Sequence, residues 1–271
     1  MKEIIRWVDK NFLSKSLTKY YSKYLYDKNR KQFFSSVDGG FEVLYKSKIT
    51  CELARLCDVY GSDKGELKRG NHPYSWESHQ YTDYYSQLFR HTRSSVLKVF
   101  ECGLGTNNPR LPSSMGISGR PGASLRVWRD YFPNATVYGA DIDSEVLFAE
   151  KRIQTFYIDQ LNSASILSCW QNVGESDFDL IIDDGLHTFQ ADTTLFTHSI
   201  NKLATSGIYV IEDVLDVSLP LYRDFFLICT TTWSLSLLTG QRWVGKTLLL
   251  SDFLKTDLRK FQQEYCLVRV C

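Results

Sequence analysis

The fold turns on VLKVFECGLG (96–105). Val96, Leu97, Val99 and Phe100 make a short apolar run, which passes through Glu101 into the glycines Gly103 and Gly105. A buried strand that runs directly into glycine is the usual first strand and first turn of a parallel α/β sheet. Downstream, SLRVWRDYF (124–132) reads as an amphipathic helix, ATVYGADI (135–142) as a second strand and IQTFYID (153–159) as a third. FDLIIDDG (178–185) is a fourth strand; a helix near 188–203 and the pair Ser206–Gly207 then lead into a fifth, IYVIEDV (208–214). Short apolar strands alternating with helices predict an α/β fold: a Rossmann-like, mostly parallel sheet of about seven strands with helices on both faces. SLSLLT (234–239) and KTLLLS (246–251) are close enough to pair as an antiparallel hairpin.

Upstream the pattern differs. Residues 1–36 place Ile4, Trp7, Phe12, Leu13, Leu17, Tyr20, Tyr21, Tyr24 and Leu25 at three- and four-residue spacing, which predicts one or two helices. Ser35–Gly40 is a break, and 41–60 reads as helical again. GSDKGELKRGNHPYSWESHQ (61–80) is polar and glycine-rich and reads as loop, followed by a short helix over Tyr81–Arg90.

The bulk composition excludes several classes of function. With 271 residues and 43% hydrophobic content, the chain can bury one large core, and its net charge of +1 supplies no global field toward nucleic acid. The first fifty residues are locally basic, eleven Lys or Arg against five acids, a bias most simply read as the solvated side of helices. The seven cysteines form no CxxC and number an odd count, which suits reduced thiols in the cytoplasm. The start, MKEIIRWVDKNF, carries charges where a signal peptide needs an apolar run. The apolar stretch 218–239 contains Arg223 and Asp224 and makes a poor membrane span.

In open α/β sheets ligands bind beyond the carboxyl ends of the strands, and here those ends are unusually acidic. They carry Glu101, then Asp141 and Asp143, then Asp159 beside Gln160, then Asp183 and Asp184, then Glu212 and Asp213. A glycine pair lets backbone approach a ligand, and an acid closing the second strand can accept ribose hydroxyls. The GxGxxG of dinucleotide enzymes is absent, because Asn108 stands at the third position and a Pro/Gly/Ser loop follows to 123. That argues against a pyrophosphate cradle and for a ligand with ribose and no pyrophosphate, of which S-adenosylmethionine is the common one.

These motifs carry a resemblance. ECGLG, YGADID, FYIDQ, FDLIIDDGLH and GIYVIEDV resemble the successive motifs of class I S-adenosylmethionine-dependent methyltransferases. GASLRVW, DDGLH and IED resemble, more narrowly, the metal-dependent sugar O-methyltransferases of macrolide pathways of the mycinamicin and tylosin type. YGSDKG (60–65), with His79, Tyr81 and Tyr85, resembles a motif of such enzymes and of polysaccharide-cluster methyltransferases. The match runs over about 55–215; residues 1–50 and 252–271 match nothing. Periodicity and the extent of the match together divide the chain into a helical extension over 1–50, a cap with substrate and cofactor loops over 51–95, a methyltransferase domain over 96–251 and a tail over 252–271.

By that resemblance, Glu101, Gly103, Gly105 and Ser124 line the methionine part of the cofactor and Asp141 holds the ribose. Asp159 and Gln160 sit at the adenine, Asp183 belongs to the same cofactor wall, and Lys64 and His79 are cofactor or substrate contacts. Asp184, Glu212 and Asp213 bind Mg²⁺ or Mn²⁺, and His187 is the general base. Physical chemistry supports the metal separately. Three carboxylates on adjacent strand ends repel one another, and a hard cation taking oxygen ligands at ~2.1 Å relieves this. An imidazole with an ordinary pKa near ~6.5 can take a hydroxyl proton at neutral pH. The same residues also have a plainer reading, with Asp184 and His187 capping a helix and Glu212–Asp213 solvated.

The expected reaction is metal-assisted methylation of a hydroxyl on a sugar or other glycosylated small molecule, with a small-molecule or glycan acceptor and no nucleic-acid partner. A catechol or amine acceptor, a non-catalytic binder of the same fold and a homo-oligomer all stay open. An NAD-dependent oxidoreductase is disfavoured by the missing phosphate loop.

Overall fold

A computed structural model describes residues 51–67, 72–214, 218, 221–222 and 225 with their side chains, and the backbone of 42–45, 233–240, 248–252 and 269–270. The helices expected over 1–36 lie outside the described residues. In chain order the elements are β1 (Glu42–Tyr45), α1 (Glu52–Tyr60), α2 (Tyr81–Leu88), β2 (Lys98–Cys102), α3 (Ala123–Tyr131) and β3 (Thr136–Asp141). There follow β4 (Ala149–Glu150), β5 (Ile153–Tyr157), α4 (Ser163–Val173), β6 (Phe178–Asp183), α5 (Phe189–Ser199), β7 (Leu203–Glu212), β8 (Trp233–Gly240), β9 (Leu248–Asp252) and β10 (Arg269–Val270).

The sheet runs β1-β8-β9-β7-β6-β2-β3-β5-β4, with β10 paired to the end of β7. Strands β7, β6, β2, β3 and β5 are mutually parallel, and the short β4 is antiparallel at the edge. The expected count of about seven is therefore corrected: six strands lie between Lys98 and Glu212, and the described residues form ten strands in one sheet. The strands not read from sequence are β1, β4 and β10, of two to four residues each, whose short runs carry too weak an alternation to be read singly. The region 41–60 is likewise not one helix, since Glu42–Tyr45 pairs with β8 and only Glu52–Tyr60 is helical. The expected hairpin is present, with Trp233–Leu237 antiparallel to Leu248–Asp252. Helix α4 stands where no helix was expected, capped by Asn162 and stopped at Gly174 in the left-handed region.

Alternation along the strands sorts side chains onto two faces. Phe100, Tyr138, Ile181 and Tyr209 bury one face against Trp170 and Cys169 of α4 and Leu195 and Phe196 of α5. Val99, Val137, Leu180, Ile182 and Val210 bury the other against α1, α2 and α3, through Leu53, Leu56, Tyr81, Tyr85, Leu125 and Trp128. The chain starts the parallel core at β2, adds β3 and β5 on one side, then returns to add β6 and β7 on the other. The order thus switches between β2 and β6, and ligands of such sheets settle at the carboxyl ends beside that switch. No described helix is long and apolar enough to cross a membrane.

Candidate active site at the switch point

A cavity of about 440 Å³ opens at these strand ends, within the size range of small-molecule sites. Its lining contains ten residues named from sequence: His79, Gly103, Gly105, Ser124, Asp141, Asp159, Gln160, Asp184, His187 and Asp213. Lys64, Glu101, Asp183 and Glu212 stand behind that surface and are buried.

One wall is held mainly by backbone. Gly103 N–H donates to the Ala140 carbonyl (2.8 Å) and Asp184 N–H to the Cys102 carbonyl (2.8 Å), which knits β2, β3 and the end of β6 together. Gly103 has φ +97°, and a Cβ there would stand 1.9 Å from the Asp184 carbonyl oxygen, so this glycine permits chain-to-chain approach. Asp141 accepts the Leu104 N–H (2.7 Å) on Oδ2 and the Asp143 N–H (2.8 Å) on Oδ1. Burial raises its pKa against the opposing pull of those bonds. Each oxygen retains a lone pair for a further donor. Gln160 is largely spent on structure: its Nε2 donates to Asp183 Oδ1 (2.7 Å) and its Oε1 accepts the Leu186 N–H (2.8 Å). Asp159 Oδ1 accepts the Leu161 N–H (3.0 Å). Asp183 faces α5, where burial pushes both it and Asp192 upward, Asp192 to about 7.

The other wall is held by charge brought in from 51–95. Lys64 Nζ lies 2.7 Å from Asp184 Oδ2 and 3.0 Å from Glu101 Oε1, and donates to Glu212 Oε2. Lys64, Glu101 and Glu212 have 2%, 0% and 0% of their side chains exposed. Burial alone would lower the Lys64 pKa, but the three carboxylates hold it well above the usual value. Lys64 therefore contacts carboxylates, not the cavity space expected for a cofactor or substrate contact. Glu101 Oε2 also accepts Ser124 Oγ–H (2.7 Å) and Trp128 Nε1–H (3.2 Å), which leaves it behind the cavity surface. The second oxygen of Glu212 accepts Tyr85 O–H (2.6 Å), so both of its oxygens are engaged.

Asp184, His187 and Asp213 each present one donor atom within 4.8 Å of the others. His187 Nε2 is 3.8 Å from Asp213 Oδ2, and Tyr81 O–H donates to Asp213 Oδ1. His187 and Asp213 both have φ +54°, a conformation that costs L-residues strain and recurs at functional sites. His79 bridges onward, with Nδ1 4.0 Å from Asp213 Oδ1 and Nε2 3.6 Å from Asp63 Oδ2. Burial pulls His79 down, but contact with Asp63 and the charge of Asp213 outweigh it and lift the imidazole to about 9. Asp63 shows the converse balance: burial raises it, while His79, Lys64 and Trp76 bring it to about 2.

Sequence reading missed Asp63, Tyr74, Trp76, Met115 and Leu186, all of which line the cavity. Two aromatics inside an otherwise polar loop, with no helical spacing to explain them, were the signal for Tyr74 and Trp76. The in-phase position of Glu101 and Glu212 with Val99 and Val210 was the signal that both acids are buried.

No family model matches the chain. Among characterised proteins, it is 32% identical over 174 residues to 8-demethyl-8-alpha-L-rhamnosyl tetracenomycin-C 2'-O-methyltransferase of Streptomyces olivaceus, covering 64% of this chain and 40% of that protein. It is 31% identical over 173 residues to demethylmacrocin O-methyltransferase of Streptomyces fradiae, covering 63% and 41%. Mycinamicin VI 2''-O-methyltransferase of Micromonospora griseorubida is 32% identical over 137 residues, covering 50% and 32%. Among solved structures, the MycE methyltransferase of the mycinamycin pathway, in complex with Mg, SAH and mycinamycin VI, is 28% identical with a TM-score of 0.48, covering 64% of this chain and 40% of that one. The chain spans about 40% of the length of the first two of these relatives. Over the matched stretch, the chain is homologous to O-methyltransferases, among them those named for rhamnosyl tetracenomycin-C, demethylmacrocin and mycinamicin VI.

Proposed function

We propose that this chain transfers a methyl group from S-adenosylmethionine to a hydroxyl of a sugar or glycosylated small molecule, with a divalent cation at Asp184 and Asp213. The observation that carries the reading is one cavity bearing Asp141 on its backbone-built wall and the Asp184, His187 and Asp213 cluster on its charged wall. Homology to sugar O-methyltransferases supports both the reaction and the acceptor class.

Asp141 is suited to the ribose, since each of its oxygens keeps a lone pair after binding one backbone N–H. Gly105 and Asp159 both line the cavity; in this reading Gly105 and the loop behind it would face the methionine portion and Asp159 the adenine. Gln160 and Ser124 line the same space and brace Asp183 and Glu101 from within it. A divalent cation fits the charged wall. The single Lys64 ammonium faces three carboxylates, Glu101, Asp184 and Glu212, with Asp213 beside Asp184, so one ammonium does not balance the acids gathered there. The two carboxylate donors, Asp184 and Asp213, suit a hard cation such as Mg²⁺ or Mn²⁺ and leave the His187 imidazole free to act as a base. The three-acid set named from sequence thereby becomes two acids, with Glu212 standing behind them in the grip of Lys64 and Tyr85. When bound, such a cation acidifies a hydroxyl coordinated to it. His187, at the cavity edge of the cluster, takes the hydroxyl proton, and the two walls align the methyl donor with the acceptor.

Methyl transfer from labelled S-adenosylmethionine to a panel of glycosides tests the reading. Chelation should abolish transfer, Mg²⁺ should restore it, and cofactor binding should persist in the chelated protein. Full activity after exhaustive chelation would make the acids structural, and absence of cofactor binding would overturn the reaction itself.

A further inference from the structure

The structure holds an aromatic ladder beside the charged wall. His72 and Tyr74 stack at 4.1 Å with 5° between their planes, and Tyr74 and Trp76 stack at 5.2 Å with 27°. Tyr74 is buried and braced at its hydroxyl by Ser78 (2.6 Å), so the ladder has a fixed base. Trp76 is its last rung. Tyr74 covers one face of the indole, no described ring covers the other, and Trp76 is half-buried on the cavity lining.

The ring plane is locked from the edge. Trp76 Nε1–H donates to Asp63 Oδ2 at 2.9 Å, and the loop around them is closed by the His79 N–H on the Asp63 carbonyl at 2.8 Å. Asp63 has 30% of its side chain exposed, and its Oδ1 has no partner among the described residues. An indole on the cavity lining beside a carboxylate oxygen with unused lone pairs is chemically selective. A pyranose has one face of C–H groups and an edge of hydroxyls; the first packs on an aromatic ring and the second donates to a carboxylate. From Asp63 a polar strip leads to the reacting groups, with 3.6 Å from Asp63 to His79, 4.0 Å from His79 to Asp213 and 3.8 Å from Asp213 to His187.

We infer that Trp76 and Asp63 form the acceptor subsite, with the C–H face of a pyranose lying on the indole face away from Tyr74 and vicinal hydroxyls on Asp63 Oδ1. This deepens the proposed transferase reading and rests on it. The ladder sets which sugar face is presented, and the strip beyond it delivers the outermost hydroxyl to Asp213 and His187. The backbone-built wall takes no part in holding the acceptor.

Saturation-transfer NMR with a set of methyl glycopyranosides, methyl α-L-rhamnopyranoside among them, tests this on the 271-residue chain. Wild-type protein should saturate the protons of one ring face most strongly. Trp76→Ala should abolish that signal, Trp76→Phe should retain most of it, and Asp63→Asn should weaken it, all with unchanged affinity for S-adenosylmethionine. With the best methylated glycoside, Trp76→Ala should raise KM about tenfold, the scale of one lost aromatic contact, with kcat changed far less. The subsite is overturned by a glycoside signal indifferent to Trp76, by the absence of any glycoside signal on wild type, or by a Trp76-dependent signal from 4-nitrocatechol alone. Equal loss of cofactor affinity in Trp76→Ala would overturn it as well. If glycosides bind through Trp76 but no methyl is transferred, the transferase reading falls and the sugar platform stands.

Discussion

The two walls of the cavity are built by different physics. On one side, Gly103, Leu104 and Asp141 are placed by main-chain hydrogen bonds between neighbouring strand ends, so their positions follow from the sheet itself. On the other, Asp184, Glu212 and Asp213 sit on strand ends too, but their side chains are arranged by Lys64, Tyr81 and Tyr85 from outside the sheet. A backbone-built wall is cheap to hold, because its donors and acceptors pair as the sheet forms. A charge-built wall is held only while every buried charge keeps its partner.

The sharpest way to break this contrast is to remove the central cation. Lys64→Met leaves Glu101, Asp184 and Glu212 without their ammonium and should lower unfolding free energy by roughly 3–5 kcal/mol, the cost of stripping one partner from a buried ion pair. Urea denaturation at neutral pH measures this, and adding Glu212→Gln to the variant should recover part of the loss. If Lys64→Met unfolds like wild type, the charged wall is solvated and the contrast fails.

His187 sharpens the comparison on the chemical side. His187→Ala should lower kcat by about two to four orders of magnitude, the usual worth of a general base, with cofactor affinity little altered. Single-turnover methyl transfer by the folded, metal-loaded variant is the measurement. A near-normal rate with an unchanged pH profile would leave His187 only its place in the cluster with Asp184 and Asp213.

The smallest effect is expected from the backbone-built wall. Asp141→Ala should weaken binding of S-adenosylmethionine by about 1.5–3 kcal/mol, the range for hydrogen bonds to a charged group, while the fold stays intact. Calorimetric titration checks it, and unchanged affinity in a folded variant would remove Asp141 from the cofactor site. The acceptor-side behaviour of that variant should match wild type at saturating cofactor, because Trp76 and Asp63 share no hydrogen bond with Asp141.

Much of the site is legible along the chain because strand ends in a parallel sheet converge. Acids that close successive strands, such as Asp141, Asp184 and Asp213, must meet at the switch point whatever the rest of the molecule does. Alternation likewise separates the apolar sets of the two faces, which is why β2, β3, β6 and β7 stand close to where the residues predict them. The short edge strands are less legible, since a two- or four-residue strand such as Ala149–Glu150 or Glu42–Tyr45 acquires its identity from the neighbour it pairs with.

The partner of each acid is another matter. That three crowded carboxylates need a cation is an electrostatic necessity readable from their positions, but which cation answers them depends on distance. Lys64 is separated by 120 residues from Asp184 and by 148 from Glu212, and only the packing of the 61–65 loop and α2 against the sheet brings its ammonium among them. Gly65 permits that close approach, since a Cβ there would lie 2.1 Å from Thr82 Oγ1. The residues alone therefore determine the sheet, its switch point and the acids gathered there, because these follow from periodicity and from the geometry of parallel strands. Tertiary structure alone decides that Glu101 and Glu212 belong to Lys64, that Asp184 and Asp213 face the cavity with His187, and that Trp76 joins its lining beside Asp63. Coulomb interactions and ring contacts act over a few ångströms of space, and no spacing along the chain encodes them.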